Sequence, residues 1–374
     1  MSDQTYRLNS RLASTEKEYL VQTINDLHRN RVLSSVFSEG ELIEASEEPL
    51  ENGIDTGEIL RRVKEAHEEK TQELEYLIEM YKEAIKGQEV DRMVHLGQAL
   101  LYKKMPSEAS NLFRRATELD PESHSAWAHL GATYFMIGKW QESCEALTKC
   151  VELRPYFADY RNQLGETYLA LDSCKRAVIE FEEAIKINVY YGEAYLNLAL
   201  AYILNAIRRE DFKLFSTQTE MTTEMLNKAE MIMPEAINQD FIDGRNFIGK
   251  GDLDKAFQKL LNVREMNREQ KHKDFSGSYL KFMLGSSQIN EKLLTRRIKN
   301  LKRSIAVNPH YADLHHDLAI AYTLLGSFIH TKAVEEYNKA LAINPDFDRA
   351  RRNLKLAENE IKGFDVLLRA IMRD

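Results

Sequence analysis

The chain has 374 residues, 43% of them hydrophobic, and only 7 prolines and 16 glycines, so it is not compositionally disordered and has few helix breakers. Its 51 basic and 59 acidic side chains give a net charge of -8. The charge is uneven: residues 1–89 hold 11 basic and 20 acidic groups, whereas residues 278–374 hold 16 and 11, so an acidic arm precedes an array that ends basic.

Three cysteines, Cys144, Cys150 and Cys174, are too few and too odd in number for a disulfide framework. No apolar run approaches the length of a membrane span, and the first residues lack the basic-then-apolar pattern of a signal peptide. Neither end carries a lipidation motif. The expectation is a soluble protein of a reducing compartment, cytoplasmic in location.

In chain order, residues 1–56 form an arm. RVLSSVF and ELIEAS flank Ser38-Glu39-Gly40, which predicts a small β-hairpin, with EYLVQTI a candidate third strand and residues 47–56 a linker. Residues 57–89 follow as an amphipathic helix leading into the array. Ile59, Val63, Ala66, Leu74, Leu77, Tyr81 and Ile85 make one apolar stripe, interrupted by Lys70. That stripe suits either the cap of an array or a pairing with a second chain.

From Val90 the chain repeats itself. Leu130-Gly131, Leu164-Gly165 and Leu198-Ala199 recur at a step of 34 residues, as do Tyr134, Tyr168 and Tyr202, and Pro121 and Pro155 stand one step apart. Ala109, Phe113 and Ala116 match Ala177, Phe181 and Ala184 two steps later. A small residue inside a first helix lets a neighbour approach, and a proline cannot continue a second one.

These positions resemble the tetratricopeptide-repeat family, with its W-x2-L-G-x2-Y…A-x3-F…P pattern, shown best by Trp127, Leu130, Gly131, Tyr134 and Pro155. Residues 124–157 depart from it at Ser143, Leu147 and Cys150. The resemblance implies an all-α fold: a right-handed superhelical solenoid of about seven helix-turn-helix repeats over residues 90–345. The small β-hairpin unit lies before it and a capping helix, residues 346–374, after it. Units start near Val90, His124, Ala158, Gly192, Ile237, Ser278 and Ala312, and the fourth carries an insertion near residues 206–220.

No catalytic or metal constellation stands out. His315 and His316 are adjacent and point apart on a helix, Cys150 takes a small buried place, and there is no glycine-rich phosphate loop. No enzyme activity, metal or cofactor is expected. Arg296, Arg297, Lys299, Lys302 and Arg303 form a basic run without interleaved aromatics, so nucleic acid is not the expected partner.

The resemblance further implies that first helices line a concave groove where partner peptides lie. Its candidate binding residues are His129, Phe135, Asn162, Gln163, Glu166, Asn197, Ile203, Phe241, Arg245 and Phe282. Amides there suit a peptide backbone, apolar groups give contact area, and Arg245 suits a carboxylate. Val94 and Gln98 stand where chaperone-binding relatives of this family carry a Lys and Asn clamp, so that activity is not carried over. The expected function is a protein-protein interaction scaffold or adaptor. The alternative is a self-assembling homo-oligomer, through solenoid stacking or the N-terminal helix.

Overall fold

The computed structural model describes residues 5–50, 54–209, 218–234, 237–274, 295, 298–299, 301–302, 305, 312–343 and 348–371. They fall into two units, Met1–Ser276 and Gly277–Asp374.

Strand propensity in the arm builds more than the expected hairpin. Four strands, β1 (Arg7–Ala13), β2 (Glu18–Asp26), β3 (Arg31–Ser38) and β4 (Glu41–Pro49), pair antiparallel in sequence order. The β3–β4 turn places Glu39 at φ 52° and Gly40 at φ 86°, the left-handed pair that a two-residue hairpin loop requires. The strand missing from the sequence reading is β1, RLNSRLA, whose inward side offers only Leu8, Ser10 and Leu12. β4 also takes the first residues of the expected linker.

One face of the sheet packs on α1 (Thr56–Ala84), where Val63 is fully buried beside Val32 and Leu50. Asp55 caps α1 by accepting from the backbone amides of Gly57 and Glu58. Lys70, which breaks the apolar stripe, is buried between Glu44 of β4 at 2.8 Å and Glu73 at 3.2 Å. Lys103 adds a second cation, 2.6 Å from Glu73 and 3.1 Å from Glu44. Two carboxylates facing two ammonium groups let the charges leave water together. Fully buried Glu108 ties the sheet to the first repeat, accepting from Ser14 at 2.5 Å and Tyr19 at 2.8 Å.

Three hairpins follow in the expected phase: α2 (Val90–Tyr102) with α3 (Pro106–Leu119), α4 (His124–Met136) with α5 (Trp140–Leu153), and α6 (Ala158–Ala170) with α7 (Cys174–Ile187). Counting each unit's first residue as position 1, position 8 is Gly97, Gly131 or Gly165. A Cβ built there would come within 2.5 Å of Phe113, 2.6 Å of Leu147 or 2.6 Å of Phe181, the residue at position 24. Glycine is therefore the space into which the second helix sets its large side chain. Position 15 makes the turn: Lys104, Gly138 and Asp172 have φ of 54°, 74° and 54°. Ser143, where alanine is the pattern, donates to the Gly131 carbonyl at 2.8 Å and is buried without loss.

The fourth unit changes character. α8 (Gly192–Arg208) runs past position 15, and the left-handed residue is Arg209, at φ 54°. Its partner is α9 (Gln218–Ile232). Every residue from Ala194 to Ala206 is buried, so α8 is covered all round. The fifth unit, α10 (Gln239–Gly249) and α11 (Leu253–Asp274), keeps the glycine lock: a Cβ at Gly244 would lie 2.7 Å from Leu260, and Gly251 turns at φ 73°. Its docking differs. α11 packs along α8, whereas α9 barely touches α10.

In the second unit, α12 (Ala312–Ile343) is one helix of 32 residues that packs on α13 (Asp348–Ile371). The seventh repeat was expected as two helices. Gly326 stands at its position 15, yet the helix runs through it. Ile298, Leu301 and Ala321 form a buried cluster. The expected start of the sixth repeat, Ser278 to Gly285, lies outside the described residues.

Candidate functional site

The concave face is built from the first helices. At its front, the Gln98 amide and His129 Nε2 stand 2.7 Å apart, and the His129 ring stacks on Phe113 with centroids 5.3 Å apart. Burial, then the neighbouring His95, lowers His129 to about 4, so the ring is neutral at physiological pH. His95 is exposed on the same helix as Gln98.

Further along, three of the expected residues meet. The Asn197 amide of α8 donates to Asn162 Oδ1 at 3.0 Å and to Glu166 Oε1 at 2.9 Å, both on α6. The other carboxylate oxygen of Glu166 accepts from Arg268 of α11 at 3.0 Å. The Arg268 guanidinium also lies over the Phe135 ring of α4, 5.0 Å from its centroid, and bonds Glu265 at 3.0 Å. Phe135 of α4 and Glu166 of α6 thus meet one arginine of α11, and Asn197 of α8 braces that glutamate. Asn197 Oδ1, Gln163 Oε1 and Asn267 Nδ2 are buried with no hydrogen-bond partner among the described residues.

Other expected residues stand elsewhere. Ile203 and Phe241 are 1% and 2% exposed, inside the core that joins α8, α10 and α11, so they offer no surface to a ligand. Arg245 is not poised for a carboxylate of a partner: it pairs with Glu230 of α9 and donates to Asn227 at 2.7 Å. Phe282 lies outside the described residues, as do the side chains of Met283 and His316. Of the basic run, Lys299 and Lys302 are exposed and the three arginines lie outside the described residues.

Arg268 was not among the expected residues. It occupies position 32 of its unit, where Pro121 and Pro155 stand in theirs. Its helix runs to 22 residues against 14 in α3, α5 and α7, and α7 stops at that length with Val189 in place of the proline. Cys150 is a core thiol that donates to the His124 carbonyl at 3.3 Å, and burial pushes it up to about 12. No described helix is long and apolar enough to cross a membrane.

The tetratricopeptide-repeat family pattern matches residues 90–123, the hairpin of α2 and α3. DnaJ homolog subfamily C member 3 of Rattus norvegicus is 22% identical over 265 residues, covering 69% of this chain and 52% of that protein. The chain thus spans about half the length of that curated relative. A probable UDP-N-acetylglucosamine--peptide N-acetylglucosaminyltransferase SPINDLY of Hordeum vulgare is 25% identical over 123 residues, covering 31% of this chain and 13% of that protein. Among solved structures, MamA from Desulfovibrio magneticus RS-1 is 21% identical, with a TM-score of 0.38, covering 49% of this chain and 98% of that one. Glycine-locked hairpins in a shared phase, together with the matched first repeat, make this chain a tetratricopeptide-repeat protein.

Proposed function

We propose that the chain is a protein-interaction scaffold or adaptor whose concave face takes a segment of a partner protein. The observation that carries this reading is that Phe135 of α4 and Glu166 of α6 hold Arg268, with Asn197 of α8 bracing Glu166. The face has side chains arranged to hold an inserted helix: a carboxylate anchor in Glu166, an aromatic floor in Phe135 and amides in Asn162 and Asn197. The exposed front, around His95 and Gln98, extends it toward the first repeat.

The test is affinity capture from native lysate with the full chain, beside a Glu166→Arg variant and a His95→Glu variant. Proteins retained by the parent and lost from both variants place binding on the concave face. Identical retention by all three baits refutes it.

A second reading, self-association, rests on a different surface. Tyr156 and Tyr190, one repeat apart on the loops between units, are 84% and 78% exposed, and Val189 beside them is 56% exposed. Light scattering across a concentration series checks it: a constant monomer mass rejects the reading, and a mass that rises for the parent but not for Tyr156→Ser/Tyr190→Ser supports it.

A further inference from the structure

One side chain of α11, Arg268, reaches Glu166 and Phe135 on the first helices of repeats three and two. Within its own hairpin α11 is ordinary: Ala256, Leu260 and Val263 stand at positions 20, 24 and 27 and are fully buried. Past that point the helix continues through Arg268, and the added turns carry the guanidinium to Glu166 and Phe135. α8 shows the same arrangement from the other side. Asn197 and Ile203, both expected to face a ligand, are buried with Leu196 and Leu200, and α11 is one of the helices that lie along α8, beside α7 and α9.

The fit is imperfect. Of the groove's own atoms, Asn197 Oδ1 and Gln163 Oε1 are buried and have no partner among the described residues. Helix interiors satisfy their own backbone groups, so only side chains of an inserted helix can serve such atoms, and α11 does not serve these. An occupant that leaves buried polar atoms unpaired binds less tightly than one that pairs them.

We propose that α11, with its extended end, is a resident substitute for a partner helix, a basic amphipathic segment whose arginine meets Glu166 and Phe135 while Ala256, Leu260 and Val263 lie in the core shared with α8. This rests on the reading that the concave face binds a partner protein, and it adds the partner's chemistry and its competitor. The anchor on the groove is a carboxylate beside an aromatic ring, which selects a cation, and a planar guanidinium satisfies both at once where an ammonium would satisfy the carboxylate alone. Binding of the partner then requires α11 to leave, so the apparent affinity is reduced by the fraction of chains whose groove is closed.

The experiment uses the full chain and a fluorescent peptide with the chain's own residues 253–268, read by anisotropy. Arg268→Glu in the chain sets two carboxylates against each other and loosens the resident helix, so this variant takes up the peptide at least about ten-fold more tightly than the parent. Glu166→Arg loosens it equally but repels the peptide's arginine. That variant binds the unaltered peptide no better than the parent does, and it recovers binding to a peptide with the Arg268→Glu change. Equal affinity of parent and Arg268→Glu, both with native helical content, overturns the proposal.

Amide hydrogen exchange on the unaltered chain gives an independent check. Residues 262–268 exchange faster than α8, and faster still when the peptide is added. Exchange as slow as that of α8, unchanged by peptide, also overturns it. If no variant binds the peptide while a captured lysate protein still protects α4 and α6, this inference fails and the groove reading stands. If nothing protects α4 and α6, the groove reading fails as well.

Discussion

The third and fifth repeats are made on the same plan and used differently. In each, a glycine at position 8 accepts the side chain at position 24, Phe181 in one and Leu260 in the other, and a left-handed residue at position 15 turns the chain. Yet α7 hands its face to the next first helix, while α11 turns its length to α8. The lock within a hairpin and the docking between hairpins are therefore separate decisions. The second depends on how a helix ends.

The largest break in this comparison comes from emptying the locks. Phe181→Ala should cost about 3–5 kcal/mol and Leu260→Ala about 2–5 kcal/mol, read by urea unfolding of the helical signal. Overlapping losses would confirm that the lock is the same in both settings. A loss at Leu260 below about 1 kcal/mol would show that docking on α8 carries the fifth hairpin instead.

Proton linkage at His129 comes next. Its folded value is depressed to about 4 from 6.5, so between those values the unfolded chain takes up a proton that the folded chain refuses. Stability present above pH 6.5 is lost as pH falls toward 4, by about 3 kcal/mol at the lower limit. The difference between the parent and His129→Gln in thermal unfolding should grow over that window and be flat above it.

Overfilling the lock should cost less. Gly131→Ala sets a Cβ 2.6 Å from Leu147, for about 1–3 kcal/mol, whereas Gly249→Ala, with nothing within 4 Å, should be neutral or slightly stabilising. The smallest effect belongs to Arg208→Ala. Its pairing with Asp172 at 3.2 Å has both side chains more than half exposed, and the change should stay under about 1 kcal/mol.

Much of this was legible in the residues. A period of 34 residues marks where α2 to α8 begin, because packing at positions 8 and 24 is local and repeats in every unit. β1 was not legible, since its alternation of Arg7, Asn9 and Arg11 with Leu8, Ser10 and Leu12 is weakly apolar and gains meaning only against α1. The groove was half legible. Asn162, Glu166 and Asn197 do meet, but the burial of Ile203 and Phe241 depends on where the fifth hairpin docks, a tertiary choice that periodicity does not encode. Gly326 stands at the turn position of its unit, yet α12 continues through it, which its place in the repeat did not foretell.

The N-terminal sheet also sets how the molecule would respond to a pull. A meander with an even number of strands brings its two ends out on the same side, and here Arg7 of β1 pairs with Ile24 while Pro49 of β4 pairs with Arg31, at one margin of the sheet. Tension between the start of β1 and the start of α1 would open the ladder one rung at a time instead of shearing all rungs together. In an optical trap the sheet should yield at low force, leaving the helical hairpins to bear the load that follows.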